Sequence, residues 1–291
     1  MSNKSPFNWV GNKYKYIEVI NSILKEKDYN NIIDLFMGTG NLLLNIESNA
    51  NCYIGNDKIK LIPQIYQELG VNNYHYDKDD IVNILKQFDN FSTKESYYTF
   101  RDYWNKKYLS DNFDKDFILE TILLLKMCSN SMVRFNPKQG YFNQGFRGLG
   151  NKTEFFTETM KDLCLNEINK LSDNLSLRKY KFDVTNFINY IDEGSKDLLI
   201  LDPPYILRKD MYDTDWTEEH DIKLLDILTT TKNDFIYFNY IERDGVQNDN
   251  LIDLIKQNHF KTIHINNKTL AGQGRSENVR EVKEVIITNI N

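Results

Sequence analysis

The sequence predicts an α/β fold, a doubly wound sheet whose two halves are separated by a long, mostly helical insertion. Near the amino terminus, a strand pattern at 31–36 runs into a glycine turn at 37–40, a helix start at 41–46 and a second strand at 52–55. The alternation stops at about residue 60 and resumes at about residue 176. A strand, a glycine turn, a helix and a second strand closed by an acid are typical of the opening of a doubly wound sheet.

Each further element is predicted from its apolar spacing. The predicted helices are at 17–24, 118–125, 221–228 and 251–255, and the predicted strands are at 197–201, 234–239, 260–266 and 282–289. Residues 129–150 mix arginine, asparagine, glycine and aromatics irregularly, which indicates loop and hairpin. We therefore expect residues 1–60 and 176–291 to form one core, and residues 61–175 to form an inserted domain.

The composition excludes several classes of protein. The chain has 291 residues, of which 41% are apolar and 27% charged, so we expect a packed core. The first residues form no signal peptide, and no apolar run has the length of a membrane span. The three cysteines, Cys52, Cys128 and Cys164, are far apart, and the four histidines form no paired motif. We expect no disulfide framework, no metal and a reducing cytoplasm.

The net charge of −6 argues weakly against a nucleic-acid partner, because phosphate contacts come from lysine and arginine. Binding uses a local face, however, and basic residues gather at 106–107, 134–152, 178–181 and 275–283. Each cluster is explained equally simply as solvated surface, so charge alone leaves the partner open.

The first glycine motif is Asp34-x-Phe36-x-Gly38-x-Gly40, and Asp57 closes the next strand. Glycines after a first parallel strand allow a ligand to approach the backbone, and an acid at the next strand end can accept hydrogen bonds from ribose hydroxyls. Leu43 stands where a dinucleotide fingerprint has its third glycine. A nucleoside cofactor without pyrophosphate, such as S-adenosylmethionine, therefore fits better than NAD, although a simple tight turn also explains the two glycines.

The second motif is Asp202-Pro203-Pro204-Tyr205, which follows a buried-strand pattern. Two prolines fix φ twice and remove two amide donors, so the loop is rigid. The Asp202 carboxylate and the Pro203 carbonyl can accept both hydrogens of an exocyclic base amine, and Tyr205 offers a ring on which a base can stack. The motif therefore predicts methylation of an amine; a proline turn that caps a strand is the alternative.

Eight motifs in order carry a resemblance that spans nearly the whole chain. They are Pro6-Phe7-Asn8-Trp9-Val10-Gly11-Asn12-Lys13, Asp34-x-Phe36-x-Gly38-x-Gly40, Asn56-Asp57, Arg134-Phe135-Asn136, Gly140-Tyr141-Phe142-Asn143, Phe182-Asp183, Asp202-Pro203-Pro204-Tyr205 and Glu284-Val285-Ile286-Ile287-Thr288-Asn289. The chain resembles the Dam-type DNA adenine N6-methyltransferases, the class with an insertion before the catalytic tetrad. The resemblance implies a Rossmann-like catalytic core at 1–60 and 176–291, and an inserted target-recognition domain at 61–175.

The resemblance also implies which residues bind the cofactor, S-adenosylmethionine. Those expected at the cofactor are Phe7, Trp9, Lys13, Asp34, Phe36, Gly38, Gly40, Asp57, Phe182, Asp183 and Asp202. The glycine motif would hold the methionine part, Asp57 the ribose, and Phe182 with Asp183 the adenine. Core packing is the alternative for Phe7 and Trp9, and a helix N-cap is the alternative for Asp183.

Double-stranded DNA is the expected partner, bound by a monomer or a weak dimer. Chemistry on a base amine requires the base to be extruded from the duplex. The predicted DNA-binding residues are Arg134, Asn136, Lys138, Phe142, Asn143, Arg147 and, on a second arm at 272–280, Arg275. Arginine can read guanine bidentately in the major groove, and aromatics can wedge between bases. The resemblance suggests GATC as the target.

Two departures from the family pattern affect these expectations. Asn12 stands where the family often has a second glycine, and asparagine tolerates positive φ better than most residues. Gln144 replaces a usual proline in the recognition region, so the target sequence is in question. The motifs leave three alternatives open, namely cytosine N4 methylation, methylation of RNA or protein, and DNA binding without catalysis.

Overall fold

The computed structural model describes residues 3–8, 11–25, 27–91, 93–136, 138–150, 154–190, 196–208, 216–270 and 279–290, of which 208, 266–270 and 279–281 are described by their backbone alone. The α-helices are α1 Ile17–Ile23, α2 Asn41–Asn45, α3 Leu61–Asn72, α4 Lys78–Gln87, α5 Lys94–Leu109, α6 Lys115–Met127, α7 Glu158–Ser176, α8 Glu218–Thr230 and α9 Asp249–Asn258. The strands are β1 Tyr29–Asp34, β2 Ala50–Asn56, β3 Tyr180–Asp183, β4 Leu198–Leu201, β5 Asp234–Arg243, β6 Val246–Gln247, β7 Lys261–Leu270 and β8 Val279–Thr288.

The chain divides into two compact units. The first consists of Met1–Ile17, Met37–Ile46 and Ile59–Val184, and the second of Glu18–Phe36, Glu47–Lys58 and Thr185–Asn291. The predicted insertion, 61–175, lies wholly within the first unit, which also takes in two short segments from the amino-terminal part of the chain. The assignment of 61–175 to target recognition stays a prediction.

The second unit contains most of the sheet, and the predicted α/β class is confirmed. Its strands lie in the order β2-β1-β4-β5-β8-β7, with β6 paired to β5. The pairs β1–β2, β1–β4 and β4–β5 are parallel, whereas β8 is antiparallel to both β5 and β7. All four residues of β4 are buried, as a continuous apolar run predicts for a central parallel strand.

The register of the parallel strands aligns their acidic ends. Asp34 at the end of β1 lies opposite Gly55 of β2 and Ile200 of β4. Asp57 follows Gly55 by two residues, and Asp202 follows Ile200 by two residues. The three acids therefore lie at the carboxyl edge of the sheet, which is where open α/β sheets bind ligands.

The first unit is mainly helical, as the sequence predicts for 61–175. In α5, the buried aromatics Tyr97, Phe100, Trp104 and Tyr108 recur every three or four residues, so they share one face. The Trp104 ring stacks on the ring of Phe117 in α6 with centroids 5.0 Å apart. The predicted buried helix at 118–125 is confirmed by α6, which Asp114 caps by accepting from the Phe117 N–H.

Candidate functional site

The turn after β1 is shaped by its own acid. Asp34 is almost fully buried, and its Oδ1 accepts a hydrogen bond from the Phe36 N–H at 3.2 Å. The sequence places Leu35 and Phe36 inside a strand; the strand in fact ends at Asp34, because this side-chain bond turns the backbone. Asp34 therefore has a structural role, and cofactor binding by Asp34 stays a prediction.

Asn56 fixes the end of β2 beside the turn. The sequence predicted no function for its side chain. Its Nδ2 donates to the carbonyls of Leu35 and Thr185, both at 3.1 Å. Its Oδ1 accepts from the N–H of Thr185 at 3.0 Å and from the Thr185 hydroxyl at 2.8 Å. These four bonds hold the chain directly before Asp57, which is half-buried. The Asn56-Asp57 pair in the sequence was the available signal.

Phe36 belongs to an aromatic cluster whose other members are Phe187, Trp216 and His220. The Phe36 ring centroid lies 5.1 Å from that of Phe187 and 5.7 Å from that of Trp216. Trp216 stacks on His220 at 5.3 Å. The Trp216 indole N–H is buried and has no hydrogen-bond partner among the described residues. Sequence reasoning missed Trp216, since no motif marks it.

The tetrad follows β4 as predicted, and its tyrosine is buried among carboxyl groups. The Tyr205 hydroxyl lies 3.0 Å from Oδ1 of Asp202 and 3.1 Å from Oε1 of Glu284. The Tyr205 ring packs edge-on against Tyr240 with centroids 4.4 Å apart. Tyr205 is 5% exposed, and the stacking of a base on its ring stays a prediction. The buried hydroxyl has carboxyl partners, as buried tyrosine hydroxyls usually have a hydrogen-bond partner.

Hydrogen bonds from β5 support the chain around the tetrad. Nη1 of Arg243, at the end of β5, donates to the carbonyl of Leu207 at 2.6 Å and so holds the chain just after Tyr205. In the same strand, the Asn239 amide bonds to the Tyr237 hydroxyl, and both residues are buried. Burial, with the nearby Asp221 and Asp202 carboxyl groups, raises the pKa of Tyr237 above its ordinary value. Tyr237, which lies opposite Leu201 in the β4–β5 register, therefore keeps its hydroxyl hydrogen at neutral pH.

The glycine turn in the first unit needs its glycines. Gly38 has φ 51° and Gly40 has φ 71°, in the left-handed region that favours glycine. A Cβ at Gly40 would lie 2.8 Å from Cε2 of Tyr66, whereas a Cβ at Gly38 would meet nothing within 4 Å. The Tyr66 hydroxyl donates to the Thr39 carbonyl at 2.6 Å, and burial raises its pKa. Tyr66 was not predicted, because α3 carries no motif.

The amino-terminal motif packs on the same tyrosine. The Ser5 hydroxyl lies 2.8 Å from the Tyr66 hydroxyl oxygen and can donate to it, since the Tyr66 hydrogen goes to Thr39, while Oγ of Ser5 accepts from the Phe7 N–H at 3.2 Å. The rings of Phe7 and Phe182 lie 6.0 Å and 5.4 Å from that of Tyr66. Both phenylalanines are buried, so core packing accounts for them, and their contact with a cofactor stays a prediction. Trp9 lies outside the described residues.

Lys13 and Asp183 complete the predicted cofactor set in the first unit. Nζ of the buried Lys13 donates to the carbonyl of Gly11 at 2.8 Å, and Gly11 itself has φ 86°. Gly11 thus provides the positive φ of this turn. Asp183 ends β3 and pairs with Lys181 at 2.9 Å. The N-cap alternative for Asp183 is wrong, because the side chain of Asn186 caps the following 3₁₀ helix.

The chain matches the D12 class N6 adenine-specific DNA methyltransferase family over residues 9–269. It belongs to this family. The predicted adenine N6-methyltransferase resemblance and the Rossmann-like methyltransferase fold are therefore confirmed. The chain is similar to the type II methyltransferase M.FokI of Planomicrobium okeanokoites, with 27% identity over 98% of this chain and 43% of that protein. It is also similar to the modification methylase StsI of Streptococcus sanguinis, with 25% identity over 98% of this chain and 43% of that protein. The chain spans less than half the length of these curated relatives.

In this family member, the predicted recognition segment forms a hairpin. Phe135 and Phe142 pair as an antiparallel bridge, and the Asn136 N–H donates to the Tyr141 carbonyl at 2.8 Å. The loop and hairpin predicted for 129–150 are thus confirmed. Arg134, Lys138, Asn143 and Arg147 are exposed, as DNA contact requires. Their contact with DNA stays a prediction.

Three of the predicted DNA-binding residues also have partners within the protein. Oδ1 of Asn136 accepts from the N–H groups of Lys138 and Gln139, so its carbonyl side shapes the hairpin tip. Nη1 of Arg147 donates to the Lys126 carbonyl at 3.2 Å. Phe142 is 1% exposed, and its backbone exchanges two hydrogen bonds with the buried Asn105. The structure therefore removes Phe142 from the set of exposed DNA contacts. Arg275 lies outside the described residues.

Three further findings concern the described part of the chain. No group of three or more histidine, cysteine, aspartate or glutamate side chains there is arranged to hold a metal ion. No helix in the described ranges is both long and apolar enough to span a membrane. Cys52, Cys128 and Cys164 are free thiols.

Proposed function

We propose that this chain transfers a methyl group from S-adenosylmethionine to the N6 amine of an adenine extruded from duplex DNA. The observation that carries the proposal is the alignment of Asp34, Asp57 and the Asp202–Tyr205 tetrad at one carboxyl edge of the sheet. In a member of the D12 class N6 adenine-specific family, this edge is the natural place for an amine and a nucleoside cofactor.

The chemistry of the tetrad suits an amine that is already a nucleophile. The Asp202 carboxylate can accept one N–H of the amine, since an ionised carboxylate has about four acceptor positions. The Pro203 carbonyl can accept the other N–H, because its position is fixed by two consecutive prolines. The lone pair of the nitrogen is then directed away from both acceptors. Alignment of this kind is the main contribution that a protein makes to a direct transfer.

The residues of the first unit fit a nucleoside cofactor. The positive φ values at Gly38 and Gly40 keep the turn free of side chains, and the space beyond Gly38 is open. Tyr66 holds this turn through the Thr39 carbonyl. We propose that Gly38 and Gly40 hold the methionine part of S-adenosylmethionine and that Phe182 and Asp183 bind its adenine. When bound, this cofactor supplies the activated methyl group on its sulfonium.

One assay tests both which nucleic acid is the substrate and which atom accepts the methyl group. The protein is incubated with methyl-labelled S-adenosylmethionine and either unmethylated duplex DNA or total RNA, and the product nucleosides are separated. We expect label in N6-methyladenine from DNA. Label in N4-methylcytosine, or label only in RNA, contradicts the proposal.

The role of Asp202 is tested by Asp202→Ala. We expect a loss of turnover of about a hundredfold or more, with the affinity for S-adenosylmethionine retained. Asp226→Ala, on the exposed face of α8, is the matched control and should keep full activity. Unchanged turnover in Asp202→Ala refutes the role given to this carboxylate.

The target sequence is a separate question. GATC stays a prediction that rests on the resemblance, and Gln144 in the recognition hairpin is the main reason to test it. Expression in a methylation-deficient bacterium, followed by single-base mapping of N6-methyladenine, gives the target directly. The curated relatives are more than twice as long as this chain, so the assay tests whether this chain methylates DNA by itself.

A further inference from the structure

We propose that Asn105 is a positioning residue that fixes the recognition hairpin in place and thereby sets the selectivity of the chain for its DNA target. The recognition hairpin has two arms, 134–136 and 141–143, which pair with each other. The inference rests on the proposed function, because it concerns the sequence around the methylated adenine and not the methyl transfer itself. All the residues that carry it belong to the first unit.

The pairing of the two arms leaves the backbone of Phe142 without a partner inside the hairpin. Phe135 and Phe142 lie opposite each other, and the hydrogen bonds between the arms are made by the residues on either side of this pair. In such a non-hydrogen-bonded pair, the N–H and C=O of each residue point away from the opposite residue. The N–H and C=O of Phe142 therefore point to the outer edge of the hairpin, where a further strand would pair with them.

The side-chain amide of Asn105 takes the place of that further strand. Its Oδ1 accepts from the Phe142 N–H at 2.8 Å, and its Nδ2 donates to the Phe142 carbonyl at 3.0 Å. A carboxamide has an acceptor and a donor side by side, so one side chain satisfies both backbone groups. Asn105 is 8% exposed and Phe142 is 1% exposed, so either backbone group would be costly to leave unpaired.

The same face of α5 holds the hairpin at a second point. One and two turns before Asn105, the side chains of Arg101 and Tyr97 both donate to the carbonyl of Gln144. These three residues of α5 are spaced by four positions, so they form one row along the helix. The row therefore holds the backbone on both sides of Asn143, whose side chain is exposed.

Positioning through the backbone affects selectivity more than affinity. Hydrogen bonds to base edges weaken steeply when their geometry is lost, and each good pair of them discriminates between bases by about fivefold to a hundredfold. Attraction to phosphates carries no sequence information and falls off slowly with distance. If the arm that carries Asn143 is released from Asn105, we expect the exposed side chains to keep their attraction to DNA and to lose their alignment with the bases.

The first unit also contains a matched control for these bonds. Asn169 of α7 makes the same pair of hydrogen bonds with the backbone of Tyr76, which lies outside the hairpin. Its Oδ1 accepts from the Tyr76 N–H and its Nδ2 donates to the Tyr76 carbonyl, both at 2.9 Å. A substitution at Asn169 therefore removes the same two bonds without altering the support of the hairpin.

The first test compares leucine at the two positions, since leucine has nearly the shape of asparagine and no polar group. Selectivity is the kcat/KM on the mapped target duplex divided by that on duplexes with one other base pair changed. We expect Asn105→Leu to lower this ratio about tenfold, and Asn169→Leu to leave it within about twofold. Should Asn105→Leu not fold, Asn105→Ala is compared with Asn169→Ala in the same way.

Hydrogen exchange followed by mass spectrometry tests the positioning itself. In Asn105→Leu, the backbone amides of residues 140–145 should exchange about tenfold faster than in the unmutated chain, because the hairpin edge opens more often. The amides of residues 74–78 should keep their rate. In Asn169→Leu the two segments should behave in the opposite way.

The outcomes separate the inference from the proposed function. Unchanged selectivity in Asn105→Leu refutes the inference even if its hairpin exchanges faster, because Asn105 then supports only the fold. An equal loss of selectivity in Asn169→Leu also refutes it, since the loss would then follow from lower stability alone. In both cases the proposed function stands. Absence of methyl incorporation by the unmutated chain refutes the proposed function, and this inference with it.

Discussion

The ring of Tyr66 occupies the space into which a side chain at Gly40 would extend. A Cβ there would lie 2.8 Å from Cε2 of Tyr66 and 3.1 Å from Cε of Met37. The same tyrosine is tied by its hydroxyl to Thr39 and Ser5, so it has little freedom to withdraw. Gly38, two residues earlier, has a positive φ as well but open space around it. The two glycines therefore differ in the reason that each is needed.

This difference predicts unequal effects of the same substitution. Gly38→Ala should cost about 1 kcal/mol of unfolding free energy from the left-handed backbone alone. Gly40→Ala should cost about 1–3 kcal/mol more, since overpacking against Tyr66 is added to the backbone term. Urea unfolding followed by circular dichroism measures both.

Cofactor affinity, measured by calorimetry, adds a second comparison. We expect Gly38→Ala to weaken S-adenosylmethionine binding with a small effect on stability, because its Cβ would extend into the open space. Gly40→Ala should weaken both. If the two variants are equally stable, the contact between Tyr66 and position 40 does not limit this turn.

Sequence patterns predict most of the fold because they depend on local spacing. The strand at 197–201 and the helix at 118–125 follow from continuous apolar runs, and both exist within a residue or a few of their predicted bounds. β3 was not predicted, since Tyr180–Asp183 is short and only Phe182 of its residues is buried. A strand of four residues with one buried side chain carries no alternation that a sequence pattern can detect.

The candidate site was predictable where a motif names the residue, and not where packing decides. Asp202 and Gly40 are marked by neighbouring prolines and glycines, whose backbone constraints show in the sequence. Tyr66 contacts the glycine turn from α3, a distant element without a motif, and the sequence does not contain that distance. Tyr205 belongs to a motif, yet its contact with the Tyr240 ring depends on packing that the motif does not show.

The recognition hairpin predicts a separation between DNA affinity and stability. Arg134 is exposed, so Arg134→Ala should change the unfolding free energy by less than about 0.5 kcal/mol. If Arg134 contacts a phosphate, the variant should weaken DNA binding and lower the slope of log K against log salt by about 1. Fluorescence anisotropy at several salt concentrations measures this slope. Lys223→Ala, at a side chain of α8 that is 42% exposed, is the control and should leave the slope unchanged.

Phe142→Ala should behave in the opposite way. Its buried ring packs edge-on against Trp104 at 5.6 Å, so truncation should cost about 3–5 kcal/mol of unfolding free energy. Any loss of DNA binding should then follow the loss of folded protein as temperature is raised. A stable Phe142→Ala variant that binds DNA poorly would instead return Phe142 to the set of DNA contacts.

Gln144 is held through its backbone carbonyl, so we predict that its side chain affects the DNA target sequence and not the stability of the fold. The Gln144 carbonyl accepts from the Tyr97 hydroxyl at 2.9 Å and from Nη1 of Arg101 at 3.3 Å. Since these bonds use the backbone, Gln144→Ala should keep both them and the stability, and any change should appear in the mapped target sequence. Tyr97→Phe removes the hydrogen bond from the Tyr97 hydroxyl to the Gln144 carbonyl and should lower the free energy of unfolding by about 1–2 kcal/mol. Equal stability of Gln144→Ala and Tyr97→Phe would show that the hydrogen bond from the Tyr97 hydroxyl does not stabilise the fold.

The two buried thiols predict a loss of stability at alkaline pH. Burial raises the pKa of Cys128 to about 11 and that of Cys164 to about 12, from an ordinary value of 9.0. Below pH 9 both states keep these protons, so the contribution to stability is fully present. Between pH 9 and 11 the unfolded chain loses protons that the folded protein retains, and the free energy of unfolding falls. By pH 10.5 the expected loss is about 2 kcal/mol for each thiol.

Urea unfolding at pH 8.0 and 10.5 measures this loss, and Cys128→Ala should remove the part that belongs to its thiol. Buried tyrosines such as Tyr97 and Tyr237, whose pKa values burial raises, add their own loss above pH 10, so the comparison is made between variants at equal pH. A thiol reagent at pH 8.0 gives an independent check. Cys52 is partly exposed and should react in the folded protein, whereas Cys128 and Cys164 should react only after urea is added. Rapid labelling of all three thiols without urea would contradict the buried positions from which the alkaline effect follows.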